Sequence, residues 1–150
     1  MQEIERKFLV DPAAWDTLKK PLPSKIAQGY LSTDPEKTVR IRIKGSKGFL
    51  TIKGKTQGIT RSEYEYEIPL ADAEELLKSF TEKTILKDRY EILVDQHLWE
   101  VDVFHGKLEG LVLAEIELNS EEEHFTFPNW VTIDVSSNPA YYNSNLIEKL

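Results

Sequence analysis

Along most of this chain polar and apolar residues take turns. Glu3, Glu5 and Lys7 alternate with Ile4, Arg6 and Phe8; Arg40 and Arg42 alternate with Val39, Ile41 and Ile43; Glu115 and Glu117 alternate with Ala114, Ile116 and Leu118. Side chains of an extended chain point to opposite faces in turn, so a period of two predicts strands with two unlike faces. Patterning and β-rich composition predict eight: Glu3 to Val10, Lys25 to Leu31, Thr38 to Lys44, Gly48 to Lys53, Thr60 to Pro69, Ile85 to Val94, Leu98 to Phe104 and Val112 to Leu118. Turn chemistry separates them at Thr33-Asp34-Pro35, Gly45-Ser46-Lys47-Gly48, Gly54 to Gly58, Asp95-Gln96 and His105-Gly106. Such short connections imply antiparallel neighbours. The predicted fold class is mainly β (α+β), a closed eight-stranded antiparallel barrel. Helical spacing replaces alternation at Pro12 to Lys19, with Asp11 as a cap, and at Ala71 to Phe80, where Leu76, Leu77 and Phe80 share one face. A third helix is expected after Asn138-Pro139, and the helices are expected outside the barrel or plugging an end.

The inward face of a small barrel is normally the apolar one. Here nearly every predicted strand carries a charged stripe: Thr51 and Lys53 on the fourth, Arg61, Glu63 and Glu65 on the fifth, Lys87 and Arg89 on the sixth, Glu100 and Asp102 on the seventh. The ordinary reading makes these stripes a solvated exterior. Two features favour the inverse. Acidic pairs fall on the first, fifth and eighth strands and basic pairs on the third and sixth, so charge is segregated by type. The opposite faces are rich in large aliphatic and aromatic residues, suited to outer helices and to a possible homodimer contact.

An ionic interior needs a ligand, because unpaired buried charges cost several kcal/mol apiece. Carboxylates on neighbouring strands are hard oxygen donors for Mg²⁺ or Mn²⁺. Arg40, Arg42 and Arg89 offer planar forks for phosphate oxygens, and Lys7, Lys53 and Lys87 act as point charges. Metal plus polyphosphate is the ligand that answers both sets.

At 150 residues and 40% hydrophobic content, with no repeat or linker, the chain reads as a single domain over 1–150. It has no cysteine, which excludes a disulfide framework, a thiolate zinc site and a cysteine nucleophile, and suits a reducing, cytoplasmic compartment. The charged opening from Met1 to Lys7, and the lack of an apolar run near the roughly 20 residues that span a bilayer, predict neither export nor membrane insertion. A net charge of −7 argues against nucleic-acid partners but leaves room for an anion held by cations gathered on one internal surface.

Other signals are set aside. His97, His105 and His124 lack metal-ligand spacing and are expected at the surface or in turns. Gly54-Lys55-Thr56 resembles the end of a phosphate-binding P-loop, but Gly48 stands one position too early and the segment reads strand to turn. Glu121-Glu122-Glu123 is expected to start a solvated helix after Ser120. Trp15, Trp99, Trp130, Tyr64 and Tyr66 are expected in the core or an interface.

Glu3-Ile4-Glu5-Arg6-Lys7 matches Glu-x-Glu-x-Lys, and it is followed in order by Gln28-Gly29-Tyr30-Leu31, Val39-Arg40-Ile41-Arg42, Thr51-Ile52-Lys53-Gly54, Arg61-Ser62-Glu63-Tyr64-Glu65, Lys87-Asp88-Arg89-Tyr90, Trp99-Glu100-Val101-Asp102-Val103-Phe104 and Ala114-Glu115-Ile116-Glu117-Leu118. In this series the chain resembles the CYTH superfamily, the triphosphate tunnel metalloenzymes, over almost its whole length. The resemblance implies an eight-stranded tunnel, with Glu3, Glu5, Glu63, Glu65, Glu115 and Glu117, together with Asp102, holding Mg²⁺ or Mn²⁺. It implies phosphate contacts from Lys7, Arg40, Arg42, Lys53, Arg61, Lys87 and Arg89. The pattern departs at Ala140, where relatives often carry Arg or Lys before Tyr-x-Asn, so one terminal phosphate contact is left without a residue.

Relatives of this kind include inorganic triphosphatases, thiamine triphosphatases and class IV adenylyl cyclases. The expected reaction is metal-dependent hydrolysis of a triphosphate, inorganic tripolyphosphate first, because no long insertion between strands could shape a base pocket. One metal would neutralise phosphoryl oxygens and a second, with Glu3 and Glu5, would activate an in-line water while Lys7 sits beside the attacked phosphorus. The alternatives are hydrolysis of a thiamine or nucleoside triphosphate, cyclisation of ATP, and a non-catalytic polyphosphate- or nucleotide-binding module.

Overall fold

Nine strands and three short helices build the computed structural model, which describes residues 1–150. The strands are β1 (Gln2–Val10), β2 (Ser24–Ser32), β3 (Lys37–Lys44), β4 (Lys47–Gly54), β5 (Thr60–Ile68), β6 (Ile85–Val94), β7 (His97–Phe104), β8 (Val112–Leu118) and β9 (Val131–Asp134). The helices are α1 (Pro12–Thr17), α2 (Leu70–Phe80) and α3 (Asn143–Leu146).

The strands lie in the order β5-β4-β3-β2-β6-β7-β8-β1, and β5 returns to β1 through the pairs Gln2–Ser62, Glu3–Arg61 and Ile4–Thr60. Eight antiparallel strands thus close into a barrel. β1 gives one edge to β8 and divides the other between β5 at its start and β9 at its end. Tight turns make the antiparallel order possible: Gly45 and Asp95 reverse the chain at φ 60° and 54°, a left-handed conformation that glycine adopts freely and aspartate tolerates.

The apolar faces point outward, and on β1, β7 and β8 they are covered from outside. Phe8, Val10, Trp99, Val101, Ala114, Ile116 and Leu118 form one cluster with Trp15 of α1 and with Trp130, and Phe125 packs against it. Burying a side chain of this size contributes roughly 1.5–3 kcal/mol relative to leaving it exposed, so this wrap is a main source of stability. A second cluster closes one end. There the inward positions turn apolar, and Ile85, Phe104 and Leu113 meet Leu108, Val135, Leu146 and Ile147. The end is plugged by the C-terminal segment.

Several expectations need correction. Asp11 occupies the cap position of α1, but its side chain makes no capping bond, and the helix stops at Thr17 because Leu18 is extended. Lys20 turns back to donate to the carbonyls of Trp15 and Leu18. On α2 the buried contact is Ala73; Leu76 and Leu77 are half-buried and Phe80 is largely exposed. β9 was not anticipated. The closing helix is reduced to a 3₁₀ turn over Pro139–Tyr141, the four-residue α3 and a further 3₁₀ turn. Glu121 to Glu123 begin a turn, not a helix: Thr60 donates to Glu121, Glu123 pairs with His97, and the chain runs extended so that Phe125 and Phe127 both reach Phe8. Tyr64 and Tyr66 stand exposed on the outer face of β5, whereas the three tryptophans are buried.

Candidate active site

With the apolar faces turned outward, the alternating charged residues face inward around a cavity of about 280 Å³. Of its 23 lining residues, three are hydrophobic. Eight are cationic (Lys7, Arg40, Arg42, Lys44, Lys53, Arg61, Lys87, Arg89) and seven are anionic (Glu3, Glu5, Glu63, Glu65, Glu100, Glu115, Glu117). The cavity is therefore near neutrality, and the acidic excess of the chain lies outside it. Every candidate residue read from the sequence lines it except Asp102.

Cross-strand register sets the partners. Glu3 faces Arg61 across β1 and β5, and Lys53 donates to both of its oxygens at 3.1 and 3.3 Å while Arg61 donates at 3.3 Å. Burial alone would raise the Glu3 pKa, but Lys53 and Arg61 hold it down to about 2. Lys53 also reaches Glu63 at 3.0 Å. On the other side of β1, Lys7 lies opposite Glu115 with its ammonium 3.8 Å away, and donates to the carbonyl of Tyr141 at 3.1 Å.

Glu5 differs from its neighbours. Burial, then the charges of Glu115 and Glu3, push its carboxyl well above the usual range. Glu115 goes the other way: Lys7, Arg89 and a hydrogen bond from Glu5 overcome burial and hold it well below. The two carboxyls are thus shifted in opposite directions. No group of three acidic or histidine side chains stands ready-made around a common point.

Asp102 sits behind the cavity wall. It is fully buried and accepts from Lys87 at 2.7 Å and from Arg89 at 2.8 and 2.9 Å. Both oxygens are taken by cations, which gives it the place of an anchor and leaves it no free oxygen for a metal. One carboxylate faces two cations, and the surplus appears on Lys87, whose pKa burial draws down to about 8 against the pull of Asp102.

The arginines of β3 form the opposite wall. Arg40 and Arg42 both donate to one oxygen of Glu65, at 3.4 and 3.3 Å, and Thr51 donates to the same oxygen at 2.8 Å. Burial, then the neighbouring Arg40 and Arg89, pull the Arg42 pKa down to about 10.

The cavity also holds residues not picked out from the sequence. Tyr30, Thr38 and Lys44 continue the two-residue period of the inward stripes, so alternation could have found them; Glu100, read with Asp102 as a charged stripe but given no role, lines the cavity too. Ser136, Tyr142, Asn143 and Ser144 belong to the plug, and no periodic signal marks them. Ala140 is exposed, and the plug brings no cation to the cavity; instead Asn143 accepts from Lys87 at 3.2 Å.

Comparison with known proteins settles the family. The CYTH domain model matches residues 1–149. The chain belongs to the CYTH family. This CYTH domain is 45% identical over 148 residues to the inorganic triphosphatase of Acetivibrio thermocellus, covering 98% of this chain and 94% of that protein. It is 37% identical over 150 residues to the inorganic triphosphatase of Nitrosomonas europaea, with 97% of each covered. Its fold is similar to the crystal structure of the inorganic triphosphatase NE1496, with a TM-score of 0.67, 34% identity, and 97% and 93% of the two chains covered. No helix of this CYTH domain is long and apolar enough to cross a membrane.

Proposed function

We propose that this CYTH protein is a cytoplasmic, Mg²⁺- or Mn²⁺-dependent triphosphatase that hydrolyses inorganic tripolyphosphate to pyrophosphate and phosphate. The observation that carries the reading is the inward cluster of eight cations in a cavity with only three hydrophobic lining residues. Such a lining binds a concentrated polyanion and offers little surface to a nucleobase. Two full-length relatives named inorganic triphosphatases support it.

The donor chemistry fits a divalent cation at Glu5 and Glu115, two hard-oxygen carboxyls that line the cavity and shift each other's pKa. Glu3, Glu63 and Glu117 line the same cavity and complete the candidate set. A bound divalent ion supplies charge neutralisation of phosphoryl oxygens and lowers the pKa of water. The chain does the rest. Arg40, Arg42, Lys53, Arg61, Lys87 and Arg89 fix the phosphates along the wall, converting attack by water into a positioned event. Lys7 meets the negative charge that builds on the reacting phosphoryl group. Glu3, kept ionised by Lys53 and Arg61, would orient the attacking water and take its proton, with Glu5 beside it in the cation site. The P–O–P bond to the leaving pyrophosphate breaks as the new P–O bond forms.

A substrate panel tests this. At fixed Mg²⁺ or Mn²⁺, phosphate release should be fastest from tripolyphosphate and slower from ATP and thiamine triphosphate, with no cyclic AMP formed. Cyclic AMP outpacing phosphate would make the protein a cyclase, and saturable binding without turnover would make it a binding module.

A further inference from the structure

Arg40 and Arg42 share a single anion in this structure, and it belongs to the protein. Glu65 presents one oxygen to both guanidinium groups and to the Thr51 hydroxyl. The two arginine side chains are 9% and 11% exposed, and the Nε of each is buried without a hydrogen-bond partner. Two planar forks of this kind have donors for several oxygen lone pairs. A buried N–H without a partner is destabilising, so the pair is under-satisfied by its one carboxylate and is built for a larger oxyanion.

Glu65 is also the partner best able to leave. Its side chain is 33% exposed, three to four times more than the arginines it touches. Its strand is held less tightly than the rest of the barrel: β5 pairs with β1 only at Thr60, Arg61 and Ser62, and from Glu65 onward its ladder runs to β4 alone. The carboxylate can rotate outward without breaking a backbone bond, whereas Arg40 and Arg42 lie on β3, paired on both sides.

We infer that Glu65 is a resident anion in the phosphate site, holding Arg40 and Arg42 in register until a phosphoryl group displaces it, and so sets the affinity of the site. The inference rests on the assignment of these arginines to phosphate binding. It moves Glu65 from the metal-binding set to the phosphate side. Displacement makes the site selective: a phosphoryl group, with three terminal oxygens and close to two negative charges, outcompetes a carboxylate, while a monovalent anion with fewer acceptors does not.

Isothermal titration of tripolyphosphate in EDTA, with no divalent cation present, tests the inference through binding rather than turnover. Glu65→Gln keeps the size of the side chain and removes its charge, and should bind tripolyphosphate about tenfold more tightly than the wild type, the equivalent of one charge-assisted hydrogen bond that no longer has to be broken. Glu67→Gln removes the same charge two residues along β5, from a side chain that is 59% exposed and pairs only with Lys47 at 3.8 Å. It should change affinity less than twofold. Thermal melting confirms that both variants are folded. A folded Glu65→Gln protein with unchanged or weaker binding would overturn the inference, as would an equal gain in Glu67→Gln. If no protein binds tripolyphosphate either in EDTA or with Mg²⁺ added, the triphosphate reading itself falls; if the wild type binds and Glu65→Gln shows no gain in EDTA, only the role of Glu65 does.

Discussion

Lys87 donates to Asp102 across β6 and β7 at 2.7 Å, and each side chain is 1% exposed. A carboxylate that deep is tolerated because Arg89 also grips both of its oxygens. Removing it would leave two buried cations without their counter-charge. Breaking a buried pair in this way costs about 3–5 kcal/mol, whereas an exposed ion pair is worth less than about 1 kcal/mol. Asp102→Asn should therefore lower the free energy of unfolding, measured by urea titration, by an amount in the first range. Glu67→Gln, which loosens only the exposed contact with Lys47, should barely move it. Equal small shifts in both would contradict the anchoring role.

Acid should unfold the protein within a defined window. Glu3 and Asp102 are both held down to about 2, from ordinary values of 4.5 and 3.8; in each, burial pushes the other way and the adjoining cations prevail. Between those values the unfolded chain binds more protons than the folded one, so stability falls as pH falls. The contribution of both groups is complete above about 4.5 and is lost as the pH approaches 2. Urea midpoints measured from pH 7 downward should hold until about pH 4.5 and then decline steeply. A midpoint unchanged to pH 2 would argue against both ion clusters.

Glu5 has the opposite sign. Its carboxyl is raised, chiefly by burial and then by Glu115 and Glu3, so it keeps its proton to higher pH than an ordinary carboxyl does. A divalent cation that takes this carboxylate must expel the proton. Titration with Mn²⁺, repeated at several pH values in two buffers of different ionisation heat, should give apparent heats that differ between buffers, as protons are released on binding. In Glu5→Gln that buffer dependence should vanish. Identical heats in both buffers for the wild type would place the cation elsewhere.

Helix α2 lies so close to the barrel that Gly48 is part of its seat. A Cβ at position 48 would stand 2.6 Å from the Cβ of Ala73, well inside contact distance. Gly48→Ala must push the helix from the sheet, and overpacking of this order costs about 1–3 kcal/mol. Thermal melting should register the loss, while Gly45→Ala, which meets nothing within 4 Å but is strained by its φ of 60°, should destabilise without displacing the contacts of α2. An unaltered melting point for Gly48→Ala would show that α2 is free to shift.

Strand positions and their two faces were legible because the contrast is sharp: Arg40, Ile41 and Arg42 cannot share an environment. Which face points inward was not fixed by alternation itself, since it depends on Trp15, Trp130 and Phe125 arriving from distant parts of the chain to cover the apolar side. β9 escaped because four largely exposed residues carry little pattern. The roles of Asp102 and Glu65 were likewise hidden. Both sit at acidic inward positions like Glu115, and only register, which sets Asp102 opposite Arg89 and Glu65 opposite Thr51, separates a carboxylate spent on cations from one beside another carboxylate. The plug residues Tyr142 to Ser144 reach the cavity through an irregular segment that no period describes.

The central claim is that the inward ionic cavity is where a triphosphate is hydrolysed. Phosphate release from tripolyphosphate by the wild type, Glu5→Gln and Lys53→Ala, at fixed Mg²⁺ or Mn²⁺ and with folding verified by thermal melting, tests it most directly. The wild type should turn over, and each folded variant should lose on the order of 100-fold or more in kcat, the usual effect of deleting one group that acts on the transition state. Folded variants as active as the wild type would place the reaction outside the barrel.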